Sequence, residues 1–196
     1  MQMLNKLFAI ILLYSPNVFL CKELNNLNLY KASTQTISLD FIQSFENSER
    51  SFVKGQIFYE RPNLFKISTS KPTKTDLIVN GTEAFRTDYQ LNETIKYELR
   101  KIESQIPALL LLKSKKKVCN FLKKSEQSEF ISDVKVISDN ENLKKISYKD
   151  QFGIKTEINF QKIKINEELD TKLFDYNKQT TLAVSYTHLT LPTIAV

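Results

Sequence analysis

The sequence predicts a mainly β fold of the α+β kind, a single antiparallel sheet interrupted by two short helices, and three observations lead there. Segments that alternate apolar and polar residues recur from Thr36 to Phe160, with turn residues between them; that is the pattern of half-buried antiparallel strands. No strand-helix-strand alternation joins them, which argues against doubly wound and TIM-barrel architectures. The most apolar stretch beyond the N-terminus, Ile106 to Leu112, carries Pro107 near its start, a residue suited to the first turn of a helix. A chain of 196 residues has room for one such domain and one core.

Residues 1–21 read as a secretory signal peptide. Lys6 precedes the apolar run Leu7 to Tyr14, and Ser15-Pro16 breaks it. The run is too short to span a bilayer as a helix and suits an export signal, with cleavage expected between Phe19 and Lys22. Lipidation of Cys21 is disfavoured, because Val18-Phe19-Leu20 lacks the small residues that precede a lipidated cysteine. If Cys21 leaves with the signal, Cys119 stands alone and no disulfide framework exists.

The elements then follow in order. Leu24, Leu27 and Tyr30 are spaced for a short amphipathic helix over Glu23 to Lys31. Thr36 to Phe45 alternates, with Ile37, Leu39, Phe41 and Phe45 on one face. The polar segment Glu46 to Lys54 returns the chain to the stretch Gly55 to Ile67. Asn80-Gly81-Thr82 joins Asp76–Val79 to Glu83–Tyr89 as a hairpin, since its residues tolerate positive φ. Thr94 to Leu99 adds a strand. A helix begins at Pro107; apolar on every side, it must be covered on every side or cover something apolar itself. The lysine-rich segment from there to Ile131 is where a strand or loop is expected to be missing. The second half alternates over Ile131–Ile137, Leu143–Tyr148 and Ile154–Phe160, with Lys162–Asn166 as a further edge and Leu173–Tyr176 as a last short strand. Residues 179–196 lose the Lys, Glu and Asn of the body and contain the single histidine, His188; they resemble translated vector read-through and are left out of the functional reading, which covers a domain at 22–178.

Composition excludes more than it suggests. The formal charge is +6, from 28 Lys and Arg against 22 Asp and Glu, and most lysines are scattered along a soluble surface. The dense cluster Lys113 to Lys117 with Lys123-Lys124 flanks the apolar helix and points to a partner or membrane surface; no aromatic-basic signature of nucleic-acid binding accompanies it. With His188 set aside, no histidine remains to act as general base or metal ligand. There is no Cys-x-x-Cys, no glycine-rich phosphate loop and no Gly-x-Ser-x-Gly elbow. The carboxylate pairs Glu167-Glu168 and Asp139/Glu141 sit in polar, turn-like stretches. Neither enzymatic activity nor a metal or cofactor is expected.

One residue stands out. Arg61 shares strand parity with Ile57, Tyr59, Phe65 and Ile67, which sets a cation among apolar neighbours. Pro62 places the break at an edge, a bulge or a strand end. Arg61 is therefore either a structural residue paired with a carboxylate or a latch that holds lid carbonyls with its planar donors. A plain structural β-domain with a closed core fits the first alternative.

Gly55-x-Ile57-x-Tyr59-x-Arg61-Pro62-Asn63-Leu64-Phe65 resembles the signature strand of the outer-membrane lipoprotein carrier family, LolA. Phe41-x-Gln43, Leu77-Ile78-Val79-Asn80-Gly81 with Phe85, Pro107-x-x-Leu110-Leu111, and Asp150-x-x-Gly153-x-x-Thr156-x-Ile158-x-Phe160 agree in order and spacing, and Asn166, Leu169-Asp170 and Phe174 continue the match over Leu24 to Tyr176. The resemblance implies an incomplete antiparallel β-barrel with a helical lid, in a monomeric periplasmic protein. It implies a chaperone that shields acylated lipoproteins between an inner-membrane ABC lipoprotein-releasing transporter and an outer-membrane receptor. By it, Arg61 is the lid latch. The expected acyl-chain cavity is walled by Ile37, Leu39, Phe41, Ile57, Tyr59, Phe65, Ile67 and Phe85, with Leu109, Leu110, Leu111 and Leu112 from the lid helix that starts at Pro107. The related receptor family, LolB, anchored to the outer membrane through a lipidated cysteine, is the neighbouring reading.

Overall fold

The computed structural model describes residues 24–46, 52–103, 106–125, 131–139, 141–176 and 180–184; the expected signal peptide lies outside them. Strands β1 (Thr36–Phe45), β2 (Phe52–Glu60), β3 (Leu64–Lys71), β4 (Thr75–Asn80), β5 (Glu83–Asp88) and β6 (Glu93–Glu98) come first. Helices α1 (Leu99–Ile102), α2 (Pro107–Lys113) and α3 (Lys115–Ser125) follow, then β7 (Ile131–Asp139), β8 (Asn142–Asp150), β9 (Lys155–Ile165) and β10 (Thr181–Val184). All ten strands form one sheet in the order β10-β6-β5-β4-β3-β2-β1-β9-β8-β7. Among the described residues β7 and β10 do not pair, so the sheet is an open, incomplete barrel with the helices as its lid. Every pairing is antiparallel except β10 with β6, which is parallel.

Alternation gives the sheet its inner and outer faces. On β1, Ile37, Leu39, Phe41 and Gln43 are buried while the residues between them are half-exposed, so one face of the strand belongs to the interior. Phe41 pairs with Gly55 of β2. A Cβ at Gly55 would collide with the Ser68 carbonyl oxygen and sit 2.8 Å from Cε1 of the Phe41 ring, so the close approach there requires glycine. Gly81, at φ +64, supplies the left-handed residue of the β4–β5 turn.

Several sequence expectations are corrected. The expected helix over Glu23–Lys31 is two 3-10 turns, Leu24–Asn26 and Asn28–Tyr30; its polar asparagines favour short turns over a continued helix, yet Leu24, Leu27 and Leu29 are buried. The lysine-rich segment after α2 holds α3, whose Val118 is buried. Ile154–Phe160 and Lys162–Asn166 are not two strands, and the second is no edge: β9 runs through both, between β1 and β8. Lys162 lies at φ +50 and the register jumps from Asp40↔Gln161 to Ser38↔Lys164, a bulge that reverses parity within one strand. Leu173–Tyr176 is a 3-10 turn, Thr171–Phe174, capped by Asp170, whose side chain accepts from Lys172 N. In the chain that retains Cys21, Cys119 is disulfide-bonded; the expectation that it stands alone applies to a chain without Cys21.

Candidate functional site

The stretch singled out by sequence folds as a hairpin. β2 ends at Glu60, Arg61 to Asn63 turn the chain, and β3 starts at Leu64, so Pro62 marks a strand end, where its missing N–H is harmless. Ile57 pairs with Ile67 and Tyr59 with Phe65; all four are buried. The Tyr59 hydroxyl donates to the Pro62 carbonyl at 3.2 Å, clasping the turn from inside. Burial raises the pKa of that hydroxyl, and the Arg61 cation opposes the shift.

Arg61 is half-buried, and its partners are carbonyls. Its backbone N–H donates to Gln35 O at 2.9 Å, and Nη2 donates to Leu29 O at 3.0 Å. Its Nε is buried with no hydrogen-bond partner. Of the two roles that parity left open, the geometry is that of a cation gripping backbone. The grip does not fall on α2 directly. It falls on the second 3-10 turn, and the next residue completes the link: Tyr30 Oη donates to Leu111 O of α2 at 2.8 Å. Burial pushes the Tyr30 hydroxyl far above its usual range, which keeps it a donor at any ordinary pH. The chain of contacts runs from the barrel rim through the N-terminal turns to the helix. Sequence reasoning missed Tyr30 and the Leu29 carbonyl; the first was visible only as one apolar position of a short helix, and the second leaves no side-chain signal.

The N-terminal turns are tied down at further points. Asn28 N–H donates to Glu141 O at 2.8 Å, the Asn166 side chain accepts from Gln35 N at 2.7 Å and donates to Ser33 O at 3.0 Å, and Lys31 pairs with Glu141 at the surface. On the helical side, Glu103 accepts from Lys113 Nζ at 3.0 Å and from Lys117 Nζ at 2.9 Å, so one carboxylate joins the end of α1 to α2 and α3. Burial works to raise the Glu103 pKa, but the two ammonium groups outweigh it and the net shift is downward. Part of the lysine cluster is thus spent inside the lid.

Ile37, Leu39, Phe41, Ile57, Tyr59, Phe65 and Ile67 line the inner face and share one apolar cluster with Leu109, Leu111 and Leu112 of α2. Leu77, Val79 and Ala84 from β4 and β5, and Ile158 and Phe160 from β9, belong to it too and were not foreseen as walls. Phe85 is a correction. Register pairs it with Ile78, while Val79 pairs with Ala84, so Phe85 points to the outer face, where its ring stacks on Tyr176 with centroids 4.3 Å apart. The run Leu77-Ile78-Val79 is apolar on both faces because the C-terminal 3-10 turn covers β3 and β4 from outside, which hid the parity. Leu110 is buried but outside the connected cluster.

Among the described residues, a void of about 10 Å³ lies between Leu29, Ile37, Leu39, Leu112 and Leu143, room for about one water. Gln43 is the anomaly: fully buried, with neither amide atom hydrogen-bonded, beside Val53 and Ile158 across the sheet. The arrangement is an apolar inner face packed against the leucines of α2, with a lid held by two side-chain hydrogen bonds to backbone and a carboxylate-lysine clamp.

A family model described as outer membrane lipoprotein carrier protein LolA matches residues 32–177. An outer-membrane lipoprotein carrier protein of Francisella philomiragia is 25% identical over 158 residues, covering 72% of this chain and 77% of its own length. One from Legionella pneumophila is 27% identical over 192 residues, covering 89% and 95%. Among solved structures, an uncharacterized conserved protein from Thermus thermophilus superposes with a TM-score of 0.50 at 8% identity, covering 78% of this chain and 92% of that one; this is a likeness of fold alone.

Proposed function

The chain belongs to the outer membrane lipoprotein carrier family, and from that premise we propose that it is a periplasmic chaperone that takes acylated lipoproteins from an inner-membrane ABC transporter and delivers them to an outer-membrane receptor. The observation that carries the reading is the apolar inner face packed against a lid whose link to the barrel begins at Arg61. An acyl chain in water is opposed by about 0.8 kcal/mol per CH₂, so cargo with several long chains needs an apolar enclosure to cross an aqueous compartment. Here Leu109, Leu111 and Leu112 stand in for cargo in the closed form. When acyl chains displace them, apolar surface is exchanged for apolar surface, and the affinity stays moderate enough for release to a receptor. No bond is made or broken, so this reading assigns no catalytic residue.

In this cycle Arg61 is the latch. Opening separates Nη2 from the Leu29 carbonyl and Tyr30 from the Leu111 carbonyl, and closing restores both. A hydrogen bond from a charged group is worth about 1.5–3 kcal/mol, enough to bias the lid toward closed when empty and weak enough to yield to cargo. Gln43 offers an unpaired amide in the interior, chemistry that suits an ester carbonyl of a bound lipid.

The test is direct. Protein extracted gently from the periplasm is expected to carry a lipoprotein or acyl lipid, identified by mass spectrometry, and the emptied protein to bind a triacylated lipopeptide. Recovery of empty protein with no affinity for that lipopeptide would sink the carrier reading.

A further inference from the structure

The rim of the barrel opposite Arg61 presents apolar side chains to water in an organised way. Strand register places its turns together: Ser44 pairs with Phe52, Lys54 with Lys71, Thr75 with Asp88 and Asp88 with Glu93. On the other side of β1, Phe45 pairs with Thr156 and Lys149 with Lys155. The start of β2 and the β3–β4, β5–β6 and β8–β9 turns therefore share one end, and the Arg61 turn lies at the other.

Two of these turns are built alike. Asp88 Oδ1 accepts from Gln90 N at 2.9 Å and Leu91 N at 3.1 Å; Asp150 Oδ1 accepts from Phe152 N at 2.8 Å and Ile154 N at 2.9 Å. Such aspartate-closed turns fix the backbone, and each holds a large apolar residue in solvent: Leu91 is 71% exposed and Phe152 74%. Phe52 and Ile154 are also exposed, so four of the six large exposed apolar side chains among the described residues lie at this rim. Basic residues accompany them. Lys71 Nζ lies 6.0 Å from the Phe52 ring centroid and Lys74 Nζ 4.5 Å from that of Tyr89, so their neighbours are aromatic rings, and Lys54 is exposed beside them.

We infer that this rim docks on a bilayer surface of anionic phospholipid, its lysines meeting the phosphate headgroups while Leu91 and Phe152 enter the interface. Apolar side chains clustered at one end and accompanied by cations match a surface that is negative outside and apolar within. They stand singly on turn tips, a form that a bilayer interface accepts at any position, whereas a protein partner would need a matching socket for each. The formal charge of +6 favours the same encounter. The inference stands apart from the carrier reading, because it concerns the opposite rim and a membrane that holds no lipoprotein.

The chain contains no tryptophan, so Phe152→Trp in the full-length protein gives a single reporter at the rim and Asn63→Trp a single reporter at the far end. With vesicles of phosphatidylethanolamine and phosphatidylglycerol at low salt, the Phe152→Trp emission is expected to shift to the blue and to be quenched by brominated phosphatidylglycerol, while the Asn63→Trp emission is not. Adding Lys71→Ser and Lys74→Ser is expected to weaken this binding roughly 30-fold, from the attraction of two lysines near an anionic surface, and salt is expected to weaken it further. Should Phe152→Trp fail to fold, Leu91→Trp reports on the second turn. The inference is overturned if the rim reporter is not quenched, if both ends are quenched alike, if neutral phosphatidylcholine vesicles bind as well, or if the lysine variant binds undiminished.

Discussion

Arg61→Leu tests the proposed latch. The substitution removes the 3.0 Å bond from Nη2 to the Leu29 carbonyl, worth about 1.5–3 kcal/mol as a charge-assisted bond. It also removes a buried Nε that has no partner, relieving a burden of about 1–3 kcal/mol. The two effects nearly cancel in global stability, because both end with the guanidinium gone. They do not cancel in lid closure provided that Nε stays buried beside the β2–β3 turn when the N-terminal turns lift: opening is then favoured by the whole of the lost bond to Leu29 and becomes about 10- to 100-fold more frequent. Amide hydrogen exchange is the assay. Residues 24–35 and 107–113 are expected to exchange about 10- to 100-fold faster in Arg61→Leu, with β1 to β3 unchanged and the denaturant midpoint nearly unmoved. Tyr30→Phe, which cuts the second tie at Leu111, should loosen α2 by about 0.5–1.5 kcal/mol and couple to Arg61→Leu in a double-mutant cycle. Unchanged lid exchange in Arg61→Leu, or acceleration spread evenly over the barrel strands, would show that Arg61 does not hold the lid.

Gly55→Ala forces a methyl against the Ser68 carbonyl and the Phe41 ring and should destabilise the fold by about 1–3 kcal/mol or more, read as a lower denaturant midpoint; a neutral result would mean the β2–β3 approach is looser than described. Gln43→Met removes two unsatisfied amide atoms and should raise stability by about 1–3 kcal/mol while weakening lipopeptide binding, and gain or loss in both together would count against a spare interior amide. Glu103 has its folded pKa lowered, so its contribution is present above the ordinary carboxylate range and lost as pH falls through the folded value. Exchange in α1 to α3 should therefore rise in acid, and Glu103→Gln should show fast lid exchange already at neutral pH with little further change; an unaltered acid response in that variant would remove the clamp from the account.

The strands and most walls of the interior were legible in the sequence because burial on a sheet follows a period of two, and Ile37, Leu39, Phe41, Ile57, Tyr59, Phe65 and Ile67 obey it. The Asn80-Gly81 turn was equally plain, since its backbone demand selects residue types. Parity failed where both faces are covered, at Phe85, and where the bulge at Lys162 split one strand into two apparent ones. The lid was legible as composition, through Pro107 and its leucines, but α3 was hidden in a lysine-rich segment that turns Lys113 and Lys117 onto Glu103.

Legible from residue identity alone were an arginine beside an apolar strand face, the interruption of the strands at Pro62, and the need of a proline-started apolar helix for cover. These follow from residue chemistry and local periodicity. What Arg61 grips was set by packing. A backbone carbonyl is the same in every residue, so nothing in the identity of Leu29 marks it as an acceptor. The packing of the N-terminal turns brings that one carbonyl within 3.0 Å of the guanidinium and sets Tyr30 against α2.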